Sequence, residues 1–421
     1  MHLRLLPALL LLLALSPGTA AADPATYNVR DSGALGDGAT NDTAALQKAI
    51  DTATTGGGGV VFFPPGTYLT GSIELKSHVT LVLAPGAVLH GAADAADYPI
   101  VNARWEGLEH PCHQALIFAN NAEDIAITGS GSIIGEGKVG VLRNPRGPTL
   151  IEPTSCNNVR ISGVKLSNTG VWTLHPTFCE NVTVSNVTFD SHGGNSDGID
   201  PDSCEHMTID HCTFSAGDDD IAIKSGKGQE GVKVGKPSDD ISVTNCTFTK
   251  GHAGVALGSE LSGGISNIKI SNCTFGGDVE AICAKSRPGR AGYVRNVQAD
   301  HLVVSVPLLT ILTNYHANPD SQGVPGDAGL TTFSGFAISG VQAKSASLVR
   351  VEATPQRPID GLTLSDIHGW CPAGFVIRNA KNVALSNIKL DGLTGPPLHT
   401  ENVQGTGLDG AVPFVPPASK Q

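Results

Sequence analysis

Large rings, charge and methionine are scarce in this chain. Of its 421 residues, 5% are aromatic, 16% are charged and only 2 are Met. A long charged helix or coiled coil is excluded by that poverty of charge. No Cys-x-x-Cys pair occurs, which removes the usual zinc frameworks. Beyond the first residues no apolar run is long enough to cross a bilayer. Positive charge is also in deficit: 27 Lys and Arg against 39 Asp and Glu, a formal net charge of -12. Such a balance argues against a nucleic-acid partner. An acidic polymer would be met only through a local basic patch, since the global field repels it.

Turn formers are abundant, with 51 Gly and 26 Pro, a composition suited to many short strands. The first residues, MHLRLLPALLLLLALSPGTAAADP, join a short polar start to an apolar stretch and an Ala20-Ala21-Ala22 cleavage pattern. They read as a secretory signal peptide over residues 1–22, which implies a secreted protein, extracellular or periplasmic. Removing it costs one Arg and no acid, so the mature chain is more acidic still.

The remainder echoes itself. NVRISGVKL at Asn158, NVTVSNVTF at Asn181, HMTIDHCTF at His206, DISVTNCTF at Asp240 and NIKISNCTF at Asn267 are copies of one unit. Later versions start at Asn296, Phe336, Gly361 and Asn382, and an earlier one at Asp124. Each alternates apolar and polar residues and then turns. One such unit cannot bury its inner face alone, so copies must stack. The fold class expected is all-β: a single-stranded right-handed parallel β-helix over residues 23–404. A short N-terminal helix from about Ala44 to Thr52, capped by Asp42 or Thr43, would cover its open end. Residues 405–421, rich in Gly and Pro, are expected to be irregular. The nine cysteines recur at shared repeat positions, Cys156, Cys179 and Cys204 in one set and Cys212, Cys246 and Cys273 in another. Stacked rungs about 4.8 Å apart favour an interior thiol ladder, although that spacing also permits disulfides. Asn-x-Thr sequons at Asn41, Asn181, Asn186, Asn245 and Asn272 fall mostly where the repeat needs Asn for turns.

Four eight-residue segments align without gaps: SDGIDPDS from Ser196, DDDIAIKS from Asp218, HAGVALGS from His252 and VEAICAKS from Val279. As consecutive rungs of one sheet they make Asp197 a neighbour of Asp219 and Asp218 a neighbour of His252, with Lys224 and Lys285 toward the far end of the strands. Strict alternation would turn Asp197 and Asp219 inward, so they are expected in the turn entering each strand. Carboxylates held together do not ionise independently: one is driven to a higher pKa while others stay charged. Glycoside hydrolysis requires that pairing of an acid with a water-activating carboxylate. Asp220 is expected to face outward without chemistry, and His175 either to line the groove or to pack.

At these residues the chain resembles the polygalacturonases of glycoside hydrolase family 28. Asn195-Ser196-Asp197, Gly217-Asp218-Asp219, Gly251-His252-Ala253 and Cys283-Ala284-Lys285 stand in the order of that family's four motifs, and RWEG at Arg104, WTLHP at Trp172 and GSELSGG at Gly258 resemble bacterial members. The resemblance implies a pectin lyase-like solenoid and inverting hydrolysis of α-1,4-galacturonosyl bonds, with no metal or other cofactor. It implies Asp218 as general acid, Asp197 with Asp219 activating water, and His252 tuning the acid. Asn195, Lys285, Arg287 and Tyr315 would bind substrate. Cys283 replaces the family's arginine, whose bidentate grip on a carboxylate a thiol cannot supply; Arg287 or Arg290 would have to reach the same space. The expected partner is an acidic pectic polysaccharide or oligosaccharide, taken by a monomer, with neither nucleic acid nor membrane involved. Three other readings stay open: a rhamnogalacturonan-type substrate, a calcium-dependent lyase on the same architecture, or a non-catalytic polysaccharide-binding β-helix.

Overall fold

A computed structural model describes residues 24–139, 145–277, 279–315 and 322–415. The expected leader lies outside these residues. The alternating repeat folds as a right-handed parallel β-helix, one coil after another, with three strand stacks along its length. In the first, Ile125, Val159, Val182, Met207, Ile241, Ile268 and Val297 sit directly above one another, all buried. The apolar alternation of each copy supplies this inward row, because side chains in a strand alternate faces.

A second stack carries the phenylalanines, with Cys212, Cys246 and Cys273 in the turns that lead into it. Phe189, Phe214, Phe248 and Phe275 are rung neighbours whose rings stack with centroids 4.7, 5.0 and 4.5 Å apart. All nine cysteines are buried free thiols, so the ladder is packed rather than bridged. The sequon residues Asn181, Asn186, Asn245 and Asn272 take left-handed backbone at the coil corners, φ 55–56°. Asn tolerates that region better than other residues with a Cβ. The Asn181 amide also donates to Asn157 Oδ1 at 2.9 Å, building a corner ladder.

Helix α1 (Thr43–Thr55) closes the N-terminal end with Leu46, Ala49, Ile50 and Ala53 buried against the first coils. It runs three residues past the expected end, to Thr55, with Gly56 as its C-cap. Asp42 holds the N-cap position but does not cap through its side chain. Its carboxylate accepts instead from the Leu35 and Gly36 amides at 2.7 and 3.0 Å, tying the preceding loop to the helix. At the other end the expected irregular region is partly strand: Leu398–Thr406 continues the sheet, and Val412 and Pro413 pair with His399 and Thr400.

The third stack bears the four aligned segments. Ile199 bridges Ile221, Ile221 pairs with Val255, and Val255 pairs with Ile282, as the gapless alignment requires. One antiparallel hairpin, Ile100–Trp105 with Leu108–His113, departs from the coil and lies over this face.

Removing one ring from the phenylalanine column should open a cavity that rigid neighbouring coils cannot close. Phe214→Ala is expected to lower unfolding stability by about 3–5 kcal/mol, read from denaturant melts; a loss below 1 kcal/mol would show that the column is not a principal packing element.

Candidate active site

Backbone hydrogen bonds set the site before any side chain does. The Gly198 amide donates to Asp219 O at 3.1 Å, and the His252 amide to Asp218 O at 2.9 Å. Asp197 is thereby laid beside Asp219, and Asp218 beside His252. The strand Ile221–Ile223 begins only after the three aspartates, so the inward-outward alternation does not yet bind them. Asp197, Asp218 and Asp219 line a cleft of about 220 Å³ together with Asn195, Lys285 and Tyr315.

Each carboxylate has a different set of partners. Asp218 Oδ1 lies 3.0 Å from His252 Nδ1 and accepts from the Asp219 amide at 2.9 Å. Burial, then the Asp219 charge, raises the Asp218 pKa, so its proton is retained more firmly. Asp219 Oδ2 accepts from Lys285 Nζ at 2.6 Å, while its Oδ1 is buried without a hydrogen-bond partner. Burial and the nearby Asp200 hold Asp197 well above the carboxylate range. Asp200 is pushed up to about 6 by burial, although Lys224 Nζ, 3.3 Å away, opposes the shift. Asp197 and Asp200 lie close enough that neither ionises independently of the other. Asn195 Nδ2 reaches Asp197 Oδ1 at 3.3 Å and Asp218 Oδ2 at 3.4 Å, bridging the two rungs.

Lys224 and Lys285 are the cations lining the cleft. Lys224 sits between Asp200 and Glu260, 3.3 and 3.5 Å away. Its charge holds Glu260, despite burial, down at about 2. The Lys285 ammonium stands 5.4 Å from the Tyr315 ring centroid, close enough for a cation–π contact.

Several expectations are corrected here. Asp220 is fully buried rather than outward, with both carboxyl oxygens unpartnered, and burial raises its pKa well above the usual range. It lies beneath the turn that carries His252: a Cβ on Gly251 would come within 3.1 Å of its carboxyl. Arg287 is half-buried on the turn after the last of the four rungs. Arg290 is wholly buried and donates to Ser259 O at 2.7 Å. Cys283 packs with Ala222, Ala253 and Ala256, its thiol pushed up to about 12 by burial. His175 packs at 0% exposure, 3.2 Å from Glu152 and edge-on to Trp172.

Of the other residues at the site, Arg146 carries no signal in the sequence. Arg146 donates to Asn195 Oδ1 at 2.9 Å and stacks on Trp105, which in turn stacks on Trp172 at 3.7 Å. Burial brings Arg146 down to about 9. Trp105 lies in RWEG and Trp172 in WTLHP, but their meeting depends on how the hairpin docks. Asp218, Asp219 and His252 also offer ligand atoms within 4.8 Å of one another, the spacing of a cation site. The Lys285 ammonium on Asp219 supplies positive charge there already and opposes a second cation.

Comparison with known proteins places the chain among pectin-degrading enzymes. A family model described as rhamnogalacturonase A/epimerase, pectate lyase-like, matches residues 26–278. A Vitis vinifera protein named "Probable polygalacturonase" is 30% identical over 80% of this chain and 72% of its own length. An exo-poly-alpha-D-galacturonosidase of Dickeya chrysanthemi is 27% identical over 65% of this chain and 54% of its own. Among solved structures, a hyperthermoactive exopolygalacturonase from Thermotoga maritima superposes with a TM-score of 0.75 at 28% identity, covering 86% of this chain and 93% of that one.

Lys285 and Asp219 form a buried pair, and removing one partner strands the other. Lys285→Met is expected to cost about 3–5 kcal/mol of stability at neutral pH, measured by urea titration; an unchanged midpoint would mean that the pair is solvated in solution.

Proposed function

The chain belongs to the polygalacturonase-like glycoside hydrolases of family 28 and is a pectin-degrading enzyme, and from that premise we propose how its site divides the work. Asp218 is the general acid. Asp219, with Asp197 beside it, is the carboxylate that holds and activates water. The observation that carries this division is the contrast in partners: Asp218 is a buried acid with a raised pKa, whereas Asp219 is tied to an ammonium at 2.6 Å. The unpartnered Oδ1 of Asp219 is the oxygen left to take a water proton.

The step is a single displacement. A water oxygen attacks the anomeric carbon as its proton passes to Asp219. The bond from that carbon to the glycosidic oxygen breaks, and the oxygen takes the Asp218 proton and leaves as a hydroxyl. Direct attack by water, with no carboxylate bonded to the sugar, inverts the anomeric configuration. Low-dielectric walls strengthen each of these interactions. Asn195 spans Asp197 and Asp218 and keeps water and leaving oxygen in line, and Arg146 fixes the Asn195 amide from behind.

The substrate class is an acidic pectic chain with α-1,4-galacturonosyl linkages. Lys285 and Lys224 supply the positive charge that a uronate carboxylate needs, in a protein whose overall charge of -12 would otherwise repel it. Tyr315 offers an aromatic face beside Lys285. We further propose that the N-terminal stretch exports the enzyme to where such polymers lie and that it acts as a monomer, without nucleic acid or membrane. Among the described residues no helix is long and apolar enough to cross a membrane.

Asp218→Asn keeps the shape and removes the proton. It is expected to lower kcat on polygalacturonate by about 10²–10⁴-fold while circular dichroism stays unchanged; full reducing-sugar release from this variant would end the assignment. The His252 charge opposes the rise in the Asp218 pKa. Since the active acid is the protonated one, activity is lost as pH rises through that pKa. His252→Ala should therefore move the alkaline limb of kcat/KM to higher pH, in addition to any fall in rate; a limb that stays in place or moves down would contradict the coupling.

A further inference from the structure

We propose a second carbohydrate site, for a neutral sugar, in the cavity that the hairpin of residues 100–113 roofs over the coil, apart from the catalytic cleft. It stands on its own groups and not on the hydrolytic roles assigned above.

The cavity holds about 230 Å³, much the same as the cleft. Two outward rows of the third stack supply its floor. In one row Thr154, Thr177, Asp202 and Lys224 are successive rung neighbours. Thr154 and Thr177 line the cavity, and Lys224 lines the cleft. Asp202, between them, has 0% exposure and is covered by Arg104, whose Nε donates to its Oδ2 at 2.7 Å. In the other row Glu152 lines the cavity, and His175 and Asp200, next along, are wholly buried. The two spaces share no lining residue. Rungs about 4.8 Å apart put Thr177 roughly 10 Å and Thr154 roughly 14 Å from the Lys224 rung.

The groups around the cavity are those that bind sugar hydroxyls. Asn102, Gln114 and Asn120 bring side-chain amides that make no hydrogen bond to protein among the described residues. Each amide both donates and accepts, as a sugar hydroxyl does. Glu152 and Thr177 are buried, and both are fixed by His175. Glu152 Oε1 lies 3.2 Å from Nδ1 of that ring, and Thr177 Oγ1 lies 3.2 Å from its Nε2. A carboxylate only accepts, so the neutral ring carries its proton on Nδ1, and Nε2 accepts from the Thr177 hydroxyl. The lone pairs of Thr177 Oγ1 and the second oxygen of Glu152 are left for a ligand. His175, which the hydrolytic step does not use, thus preorganises the floor. Val101 and Phe178 add an apolar wall for the carbon face of a ring.

Charge excludes a uronate. Glu109 and Glu152 both line the cavity. Burial raises the Glu109 pKa; Arg104 opposes the rise, and the Glu230, Glu152 and Asp202 charges add to it. Among the described residues Arg104 is the one cation in the lining, and it is committed, 2.7 Å from Asp202 and 3.8 Å from Glu230. A sugar carboxylate would meet two acids there and no cation to spare. The two lysines that line the cleft have no counterpart here. An uncharged sugar meets amides, a hydroxyl and carboxylate oxygens that accept from it. The volume falls below the about 300–1,000 Å³ usual for a drug-sized ligand, so the cavity fits a short sugar rather than a chain.

The test measures binding to the full chain carrying Asp218→Asn, so that no sugar is cut. The probes are the neutral disaccharides galactobiose, xylobiose and arabinobiose, with digalacturonate as the charged competitor, read by saturation-transfer NMR and calorimetry. At least one neutral probe is expected to bind and to stay bound when digalacturonate fills the cleft. Adding Asn120→Ala or Thr154→Val, neither of them a core residue, should weaken it about fivefold each, the worth of one hydrogen bond. Failure of all three to bind, displacement of each by digalacturonate, or binding that neither substitution weakens would overturn the proposal. A second arm locates the sugar. The unsubstituted enzyme and Asn120→Ala are compared on galacturonan carrying neutral branches and on the debranched polymer. A KM raised by the substitution on the branched polymer alone identifies a branch of the substrate; a KM unchanged on both, with weaker disaccharide binding, identifies a separate neutral glycan, and either supports the site. Failure of the unsubstituted enzyme to hydrolyse either polymer would remove the hydrolytic reading and leave the binding result standing.

Discussion

Everything in this molecule depends on keeping one register between coils. A parallel rung has a side-chain period of two, so a slip of a single residue would exchange the core row for the outward row along a whole strand. The ladder Ile199, Ile221, Val255 and Ile282 prevents this, since each apolar residue is buried on the one before. The phenylalanine column acts on a second face in the same way, and the left-handed Asn corners fix where each coil turns. With the register held, residues 21 or 22 positions apart in the chain meet as neighbours. A loop-borne site would need separate support for each carboxylate; here the stack that holds the core also holds the acids.

That placement is costly in itself. Asp197, Asp200, Asp218, Asp219 and Asp220 crowd a region in which most of them are buried, and buried like charges disfavour ionisation. Two devices relieve it. Lys224 and Lys285 neutralise part of the cluster from the far ends of their strands. Elsewhere burial shifts the balance toward the neutral acid, raising the pKa values of Asp220, Asp197 and Asp200. Burial, and after it the same repulsion that weakens the fold locally, raises the Asp218 pKa. Stability is thus traded for function at the one place where the coil alternation breaks, the turn ahead of Ile221.

The coil and the meeting of the aspartates were both legible in the sequence, because both follow from a repeat whose alignment needs no gap. NVTVSNVTF and its copies state the apolar row directly, and DGIDPDS over DDIAIKS states the register. What was not legible lies between repeats. Asp220 reads as outward by simple alternation, yet it falls one residue before the strand starts and is tucked under the Gly251 turn. Arg290 reads as free to reach the cleft, but the turn carrying it buries it against Ser259. Arg146 and Trp105 come from segments outside the repeat, so no column lists them beside Asn195 and Trp172. The hairpin that brings Trp105 there has only one short signal, and its docking is a matter of tertiary contacts.

The change at Cys283 is best understood through those same non-repeat segments. An arginine at this outward position would lie over Ala222 and Ala256 and offer a planar fork to a carboxylate. A thiol instead leaves a small apolar floor, flush with its neighbours at 7% exposure. On the proposed reading, charge recognition then passes to Lys285, a point charge already engaged with Asp219. A lysine is less demanding of geometry than a guanidinium, so the loss of planar grip must be offset by confinement of the sugar. The Trp105–Trp172 stack, the Glu106–Lys227 latch and the Arg146–Asn195 contact provide that confinement from one side. On this view the thiol at position 283 and the docked hairpin belong together: a wall fixed by aromatic stacking has less need of a bidentate clamp on the floor beside it.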